Sequence, residues 1–218
     1  GAGFMGAGIA YVAAQGGLDV VLIDRDQEAA DKGKAHSRKL MEGLVSKGRA
    51  TKEQAEAVLA KITATPDYDA LKNADLVVEA VFEDRDVKAE VTKKVAAVLR
   101  KDAIYASNTS TIPITSLAEA FEDQERFIGI HFFSPVDRMM LTEVILGEKT
   151  GDKALAVALD FVRAIRKTPI VVNDTRGFFA NRCVLRYMSE AYDMLVEGVP
   201  PAMIENAAKF AGMPVGPL

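Results

Sequence analysis

Two residues in the second half of the chain are of the types that move protons. His131 ends an apolar, strand-like run, Phe127-Ile-Gly-Ile-His-Phe-Phe-Ser-Pro135, and is one of only two histidines. Met140-Leu-Thr-Glu-Val-Ile-Leu146 reads as a second strand, and its alternation puts Glu143 on one face with Leu141 and Ile145. A carboxylate turned among apolar neighbours costs several kcal/mol unless it is paired. His131 is the nearest partner along the chain. A histidine held by a carboxylate is a general base with its orienting group. Taken alone, the same histidine reads as a hydrogen-bonded core residue. The sequence has no G-x-S-x-G elbow and no cluster with metal-ligand spacing, so acyl-enzyme and zinc chemistry find no support.

A second constellation lies at the start. Gly1, Gly3 and Gly6 form G-x-G-x-x-G, followed by a small-residue helix from Phe4 to Gln15. Glycines in this arrangement let the backbone approach a pyrophosphate whose charge rests at a helix N-terminus. Leu18–Ile23 then reads as a strand ending at Asp24, 18 positions beyond Gly6. That spacing fits a carboxylate accepting hydrogen bonds from an adenosine ribose, and it would repel a 2′-phosphate, favouring NAD over NADP. Arg25 follows directly and softens that preference. The competing reading makes Asp24 or Asp26 a helix cap.

These residues need a scaffold that brings strand ends together. Strands are predicted at 61–65, 75–81, 103–106, 127–131, 140–146 and 168–172, with helices at about 86–99 and 152–165. Their alternation calls for an α/β fold, a Rossmann-like, doubly wound and mostly parallel sheet. The glycine motif normally follows a strand, so a first strand is expected ahead of Gly1. Ligands of such sheets sit beyond the carboxyl ends of the strands, which selects Glu83 and Ser107–Ser110. Ordinary turn chemistry explains Ser107–Ser110 equally well.

Residues 27–60 read as an inserted helical hairpin. Its first helix spans about 27–47, and Thr51-Lys-Glu-Gln54 opens the second with a capping box. Lys32, Lys34, Arg38 and Lys39 suit either a phosphorylated ligand or a solvated face, and His36 reads as a surface residue. From residue 174 onward the pattern is helical, which places a boundary near 173: residues 1–173 form a nucleotide-binding domain and 174–218 the start of an all-α domain. Gly177, Asn181, Val184, Met188, Ala191 and Leu195 share one helix face. On spacing alone Asn181 hydrogen-bonds a neighbouring backbone segment, and Cys183 is a small buried hydrophobe.

Composition narrows the classes. The 218 residues carry 27 basic and 31 acidic side chains, a net charge of −4 that argues against nucleic acid as a partner. A single cysteine fits a reducing compartment. No apolar run is long enough to span a bilayer, and no basic-then-apolar leader is seen. The composition predicts a soluble intracellular protein.

Gly1-x-Gly3-x-x-Gly6, Asp24, DLVVEAVFE at 75–83, SNTS at 107–110, HFFSP at 131–135 and Gly177-Phe-x-x-Asn181-Arg occur together and in this order. With these motifs the chain resembles the 3-hydroxyacyl-CoA dehydrogenases over essentially its whole length. It is most similar to the dehydrogenase portion of the multifunctional fatty-acid β-oxidation enzymes, with the monofunctional 3-hydroxybutyryl-CoA enzymes near. The resemblance implies NAD-dependent oxidation of an L-3-hydroxyacyl-CoA to the 3-ketoacyl-CoA. It implies His131 as base, Glu143 as its orienting group, and Ser110 and Asn181 near the reacting oxygen. Asp24, Glu83, Lys88 and Ser110 would contact NAD, beside the glycines Gly1, Gly3 and Gly6. Ser134 stands where the family commonly has asparagine, which alters a nicotinamide-side contact. Asp174-Thr-Arg-Gly-Phe178 lacks the family's proline. The implied partners are acyl-CoA and either a second copy or a thiolase-containing β-oxidation complex, in a bacterial-type cytoplasm. A dehydrogenase of a free 3-hydroxy acid and a non-catalytic, crystallin-like relative are the alternatives.

Overall fold

The capping box of residues 51–54 forms as its letters require. Thr51 Oγ1 accepts from the Gln54 amide at 3.2 Å while Gln54 Oε1 accepts from the Thr51 amide at 2.9 Å. It opens α3 (Lys52–Ala60), which follows α2 (Gln27–Ser46) as the hairpin predicted for 27–60. The N-cap of α2 is Asp26, whose carboxylate accepts from the Ala29 amide at 2.8 Å. Asp24 is thereby released from that role.

The computed structural model describes residues 1–218 and divides into two compact units, Gly1–Arg176 and Gly177–Leu218. In the first, α1 (Phe4–Gln15) and β1 (Val20–Ile23) precede the hairpin. Then come β2 (Ile62–Thr65), β3 (Leu76–Glu79), α4 (Arg85–Ala96), β4 (Ile104–Ser107), α5 (Ile114–Ala118), β5 (Phe127–Phe132), β6 (Leu141–Leu146), α6 (Asp152–Ala164) and β7 (Thr168–Asn173). The architecture is the expected Rossmann-like α/β fold, mostly parallel. Its strands pair as two groups, β1 with β2 and the series β3-β4-β5-β6-β7. Only the β5–β6 pair is antiparallel. A cavity of about 980 Å³ lies between the groups, lined along the full length of β1 and β3.

The central strands are covered on both faces, as inner strands of such sheets must be. Ile104, Ala106, Ile128, Ile130, Phe132 and Val144 pack against Ala154, Ala158 and Val162 of α6. On the opposite face, Tyr105, Phe121 and Phe127 form a mutual ring cluster. Each fully buried isoleucine or phenylalanine contributes roughly 1.5–3 kcal/mol, so these two layers make the floor of the site rigid.

The second unit holds α7 (Ala180–Val196) and α8 (Pro201–Phe210), and Tyr187 Oη of α7 donates to the Val215 carbonyl in the segment after α8 at 3.1 Å. Cys183 corrects an expectation: it is exposed. The face spaced 177-181-184-188-191-195 is covered unevenly, with Ala191 buried and Val184 exposed. His36 is half-buried, its ring edge-on to Phe4 at 5.9 Å between centroids.

Candidate active site

The antiparallel step from β5 to β6 sets the register Gly129↔Ile145 and His131↔Glu143. Directly opposed residues on such strands present side chains to the same face. His131 and Glu143 accordingly meet, Nδ1 to Oε2, at 2.7 Å. Glu143 is fully buried and His131 nearly so. An ionised carboxylate only accepts, so the shared proton sits on Nδ1 and the lone pair stays on Nε2. The Phe133 ring packs on the imidazole at 4.5 Å between centroids.

The carboxyl ends of the neighbouring strands complete the surroundings. A cavity of about 330 Å³ is lined by Glu83, Asn108, Ser110, His131, Phe133 and Ser134, with Met5 of α1. Four of the residues singled out in the sequence therefore share one cleft: His131, Ser110, Glu83 and Ser134. Asn108 was inside the selected segment but was given no role. Its Oδ1 accepts from the Phe132 amide at 2.9 Å and its amide donates to the Glu79 carbonyl at 2.8 Å, tying the loop to both strands.

Glu83 gathers that loop. Its Oε1 accepts from Thr109 Oγ1 at 2.6 Å and from the Ser110 and Thr111 amides at 2.9 and 3.2 Å. Its Oε2 lies 3.2 Å from Lys88 Nζ. Burial alone would raise the Glu83 carboxyl, but Thr109, Lys88 and the Ser110 amide outweigh it and hold it below the ordinary carboxylate value. Lys88 is itself buried, behind Glu83 rather than on the surface.

The glycine turn fits a dinucleotide. A Cβ on Gly1 would come within 2.7 Å of the Ala80 carbonyl, and one on Gly6 would collide with the Gly1 carbonyl. In front of Gly3, by contrast, a Cβ would meet nothing within 4 Å. Gly3 caps α1 without any side-chain bond, and the helix has no acidic residue in its first turn. The space beside Gly3 at the N-terminus of α1 is thus open, which suits a pyrophosphate. Asp24 stands at the end of β1, its Oδ2 accepting from the Ala2 amide at 2.6 Å and its Oδ1 from the Arg25 amide at 2.7 Å.

Residues 1–175 match the family described as 3-hydroxyacyl-CoA dehydrogenase, NAD binding domain, and residues 177–218 match 3-hydroxyacyl-CoA dehydrogenase, C-terminal domain. The chain belongs to the 3-hydroxyacyl-CoA dehydrogenase family. It is 42% identical over all 218 residues to the fatty acid oxidation complex subunit alpha of Psychrobacter arcticus, and spans 30% of that relative's length. Among solved structures it is similar to the (S)-3-hydroxybutyryl-CoA dehydrogenase of Ralstonia eutropha, at 38% identity and a TM-score of 0.96, covering 100% of this chain and 78% of that one. The 3-hydroxybutyryl-CoA dehydrogenase of Escherichia coli matches at 36% identity and a TM-score of 0.96, over 100% of this chain and 47% of that one. The first unit is thus an NAD-binding domain, and its glycine turn and Asp24 suit that cofactor. Asn181 lies in the other unit, partly buried in the first turn of α7. No helix is long and apolar enough to cross a membrane.

Proposed function

We propose that the protein oxidises L-3-hydroxyacyl-CoA to 3-ketoacyl-CoA with NAD, as the dehydrogenase part of a longer, multifunctional β-oxidation enzyme. The observation that carries this reading is the buried His131–Glu143 pair, opening on a cleft shared with Ser110 and Glu83, in a chain of this family. Nε2 of His131 takes the proton of the 3-hydroxyl as the oxygen becomes a carbonyl. Bound NAD supplies the hydride acceptor. Glu143 keeps the imidazole in the required tautomer and stabilises the imidazolium that forms. Ser110 donates to the same oxygen as its charge develops, the role for which the family resemblance also names Asn181. Gly1, Gly3 and Gly6 hold the pyrophosphate, Asp24 the adenosine ribose, and Glu83 and Ser134 border the nicotinamide. Lys88, placed behind Glu83, acts on the cofactor side through that carboxylate.

The relative from Psychrobacter is named as a complex subunit, which supports association with further subunits; a thiolase among them and a bacterial cytoplasm are what the family resemblance implies. The test is NADH formation by the full-length protein on an L-3-hydroxyacyl-CoA and on the corresponding free acid. The His131→Ala variant runs beside the wild type. Turnover that requires CoA and collapses in the variant supports the assignment. Turnover on the free acid alone would move the protein to hydroxy-acid oxidation, and none on either would leave a non-catalytic relative.

A further inference from the structure

Glu79 has no part in the chemistry proposed above, yet its buried carboxylate takes hydrogen bonds from three different residues. It closes β3 and faces Ser107, its register partner at the end of β4. Its carboxylate takes Lys88 Nζ at 3.0 and 3.2 Å, the Val81 amide at 2.7 Å and Ser107 Oγ at 2.8 Å. The side chains of Glu79 and Lys88 are only 1% and 2% exposed. A buried ion pair of this kind is weak evidence of stabilisation, because desolvation consumes much of its attraction. Its value has to be sought in what it holds.

The hydrogen bonds lead to one loop. Lys88 bridges Glu79 to Glu83, and Glu83 takes the amides of Ser110 and Thr111. Ser107 Oγ, which donates to Glu79, accepts from the Thr109 amide at 3.3 Å. The Asn108 amide goes to the Glu79 carbonyl, and the Ile112 amide to Thr109 Oγ1 at 3.0 Å. Five consecutive amides, from 108 to 112, are therefore satisfied by this network alone. They belong to no helix or strand, so the loop that carries Ser110 to the cleft depends on these bonds together with the one from the Phe132 amide to Asn108 Oδ1.

We propose that Glu79 is a positioning residue: with Lys88 it anchors Glu83 and Ser107, and so holds Ser110 in place against the His131 cleft. The proposal rests on the assignment of that cleft as the active site, although its structural half stands apart from the reaction. Without the Glu79 charge, Lys88 retains only Glu83 as a counter-ion and moves toward it. Glu83 and the loop then shift together. Displacements of about 1 Å in a reacting geometry cost on the order of a hundredfold in rate.

The experiment is amide hydrogen exchange of the full-length protein without cofactor, read alongside kcat. In Glu79→Gln the amides of 109–111 should exchange at least about tenfold faster, while those of 127–131 keep wild-type protection. The kcat should fall by about tenfold to a hundredfold. Glu79→Gln/Lys88→Met replaces both buried charges with neutral groups of similar size. It should recover the wild-type melting temperature while the loop stays loose, because Glu83 has lost its cation. Wild-type loop protection in Glu79→Gln would overturn the proposal. So would loop protection that returns with the melting temperature in the double variant, since the pair would then be merely structural. A weaker NADH affinity in Lys88→Met with an unchanged loop would also overturn it, in favour of direct cofactor contact by Lys88. If the loop loosens as expected but wild-type protein turns over no hydroxyacyl-CoA, the positioning role stands and the proposed function fails.

Discussion

Glu143 sits directly across an antiparallel strand pair from His131, its Oε2 2.7 Å from Nδ1. The partnership is built by sheet register, which sets the two side chains on one face directly opposite each other. Core contacts on the opposite face, from Ile130 and Val144, oppose a slip of that register. The imidazole is held in one orientation before any ligand arrives.

That pre-set geometry makes the first prediction sharp. His131→Ala should lower kcat by roughly 10²–10⁴ while leaving NADH affinity nearly unchanged. Glu143→Gln keeps the shape but removes the negative charge that stabilises the imidazolium, so it should lose activity in the same direction. Steady-state turnover and NADH fluorescence titration measure the two quantities separately. A near-normal kcat in His131→Ala would remove the histidine from the mechanism.

Asp24 offers a test of cofactor choice. Its carboxylate binds the Ala2 amide, so the glycine turn and the ribose site are mechanically joined. Asp24→Asn keeps an acceptor for that amide but drops the charge that repels a 2′-phosphate. We expect the KM for NAD to rise about tenfold, equivalent to ~1.4 kcal/mol, and the preference for NAD over NADP to shrink. Initial rates with both cofactors decide the matter; an unaltered NAD-to-NADP ratio would deny Asp24 the ribose role.

Much of this arrangement is legible in the sequence wherever one periodicity decides. Alternation along 140–146 turns Glu143 inward, and the letters of Thr51–Gln54 specify a cap that needs no tertiary partner. The Glu79–Lys88 pair is harder to read. Lys88 lies in a helix with Arg85, Asp86, Lys93 and Lys94, where one more cation looks like part of a solvated face. Only the packing of α4 against the sheet turns it inward. Glu79 did carry a signal: it is the one charged residue inside an otherwise apolar run, 76–81, and a buried carboxylate demands a counter-ion. Cys183 failed for another reason: free cysteine is usually buried as a residue type, and that tendency does not say which way one position of α7 faces.

Acid stability should report the Glu83 clamp. Its carboxyl is held below the ordinary value of 4.5 in the folded protein. The folded state therefore binds this proton less readily than the unfolded chain does. The contribution is complete above the unfolded value and is lost as the pH falls through the depressed one. Glu83→Gln should accordingly lose less stability than the wild type between about pH 5 and about pH 3. Urea midpoints measured at several pH values give the comparison, and equal acid slopes would mean that the loop amides do not stabilise the charged form.

The glycine turn separates fold from ligand binding. Gly6 needs its missing Cβ because the Gly1 carbonyl occupies that place. Gly6→Ala must push the turn apart, lowering the melting temperature and NADH affinity together. Gly3 differs. Its φ of −64° and ψ of −173° suit any residue, and the space ahead of it is open. Gly3→Ala should leave folding intact, or gain about 0.4–1 kcal/mol through a less flexible unfolded chain. The added methyl nevertheless stands where a pyrophosphate must approach the N-terminus of α1. NADH affinity should fall at least about tenfold, a loss of ~1.4 kcal/mol or more. Thermal melts and NADH titration on the two variants make the contrast. Full NADH binding by a stably folded Gly3→Ala would show that the pyrophosphate lies elsewhere, whereas loss of binding at an unchanged melting temperature assigns that open space to the cofactor.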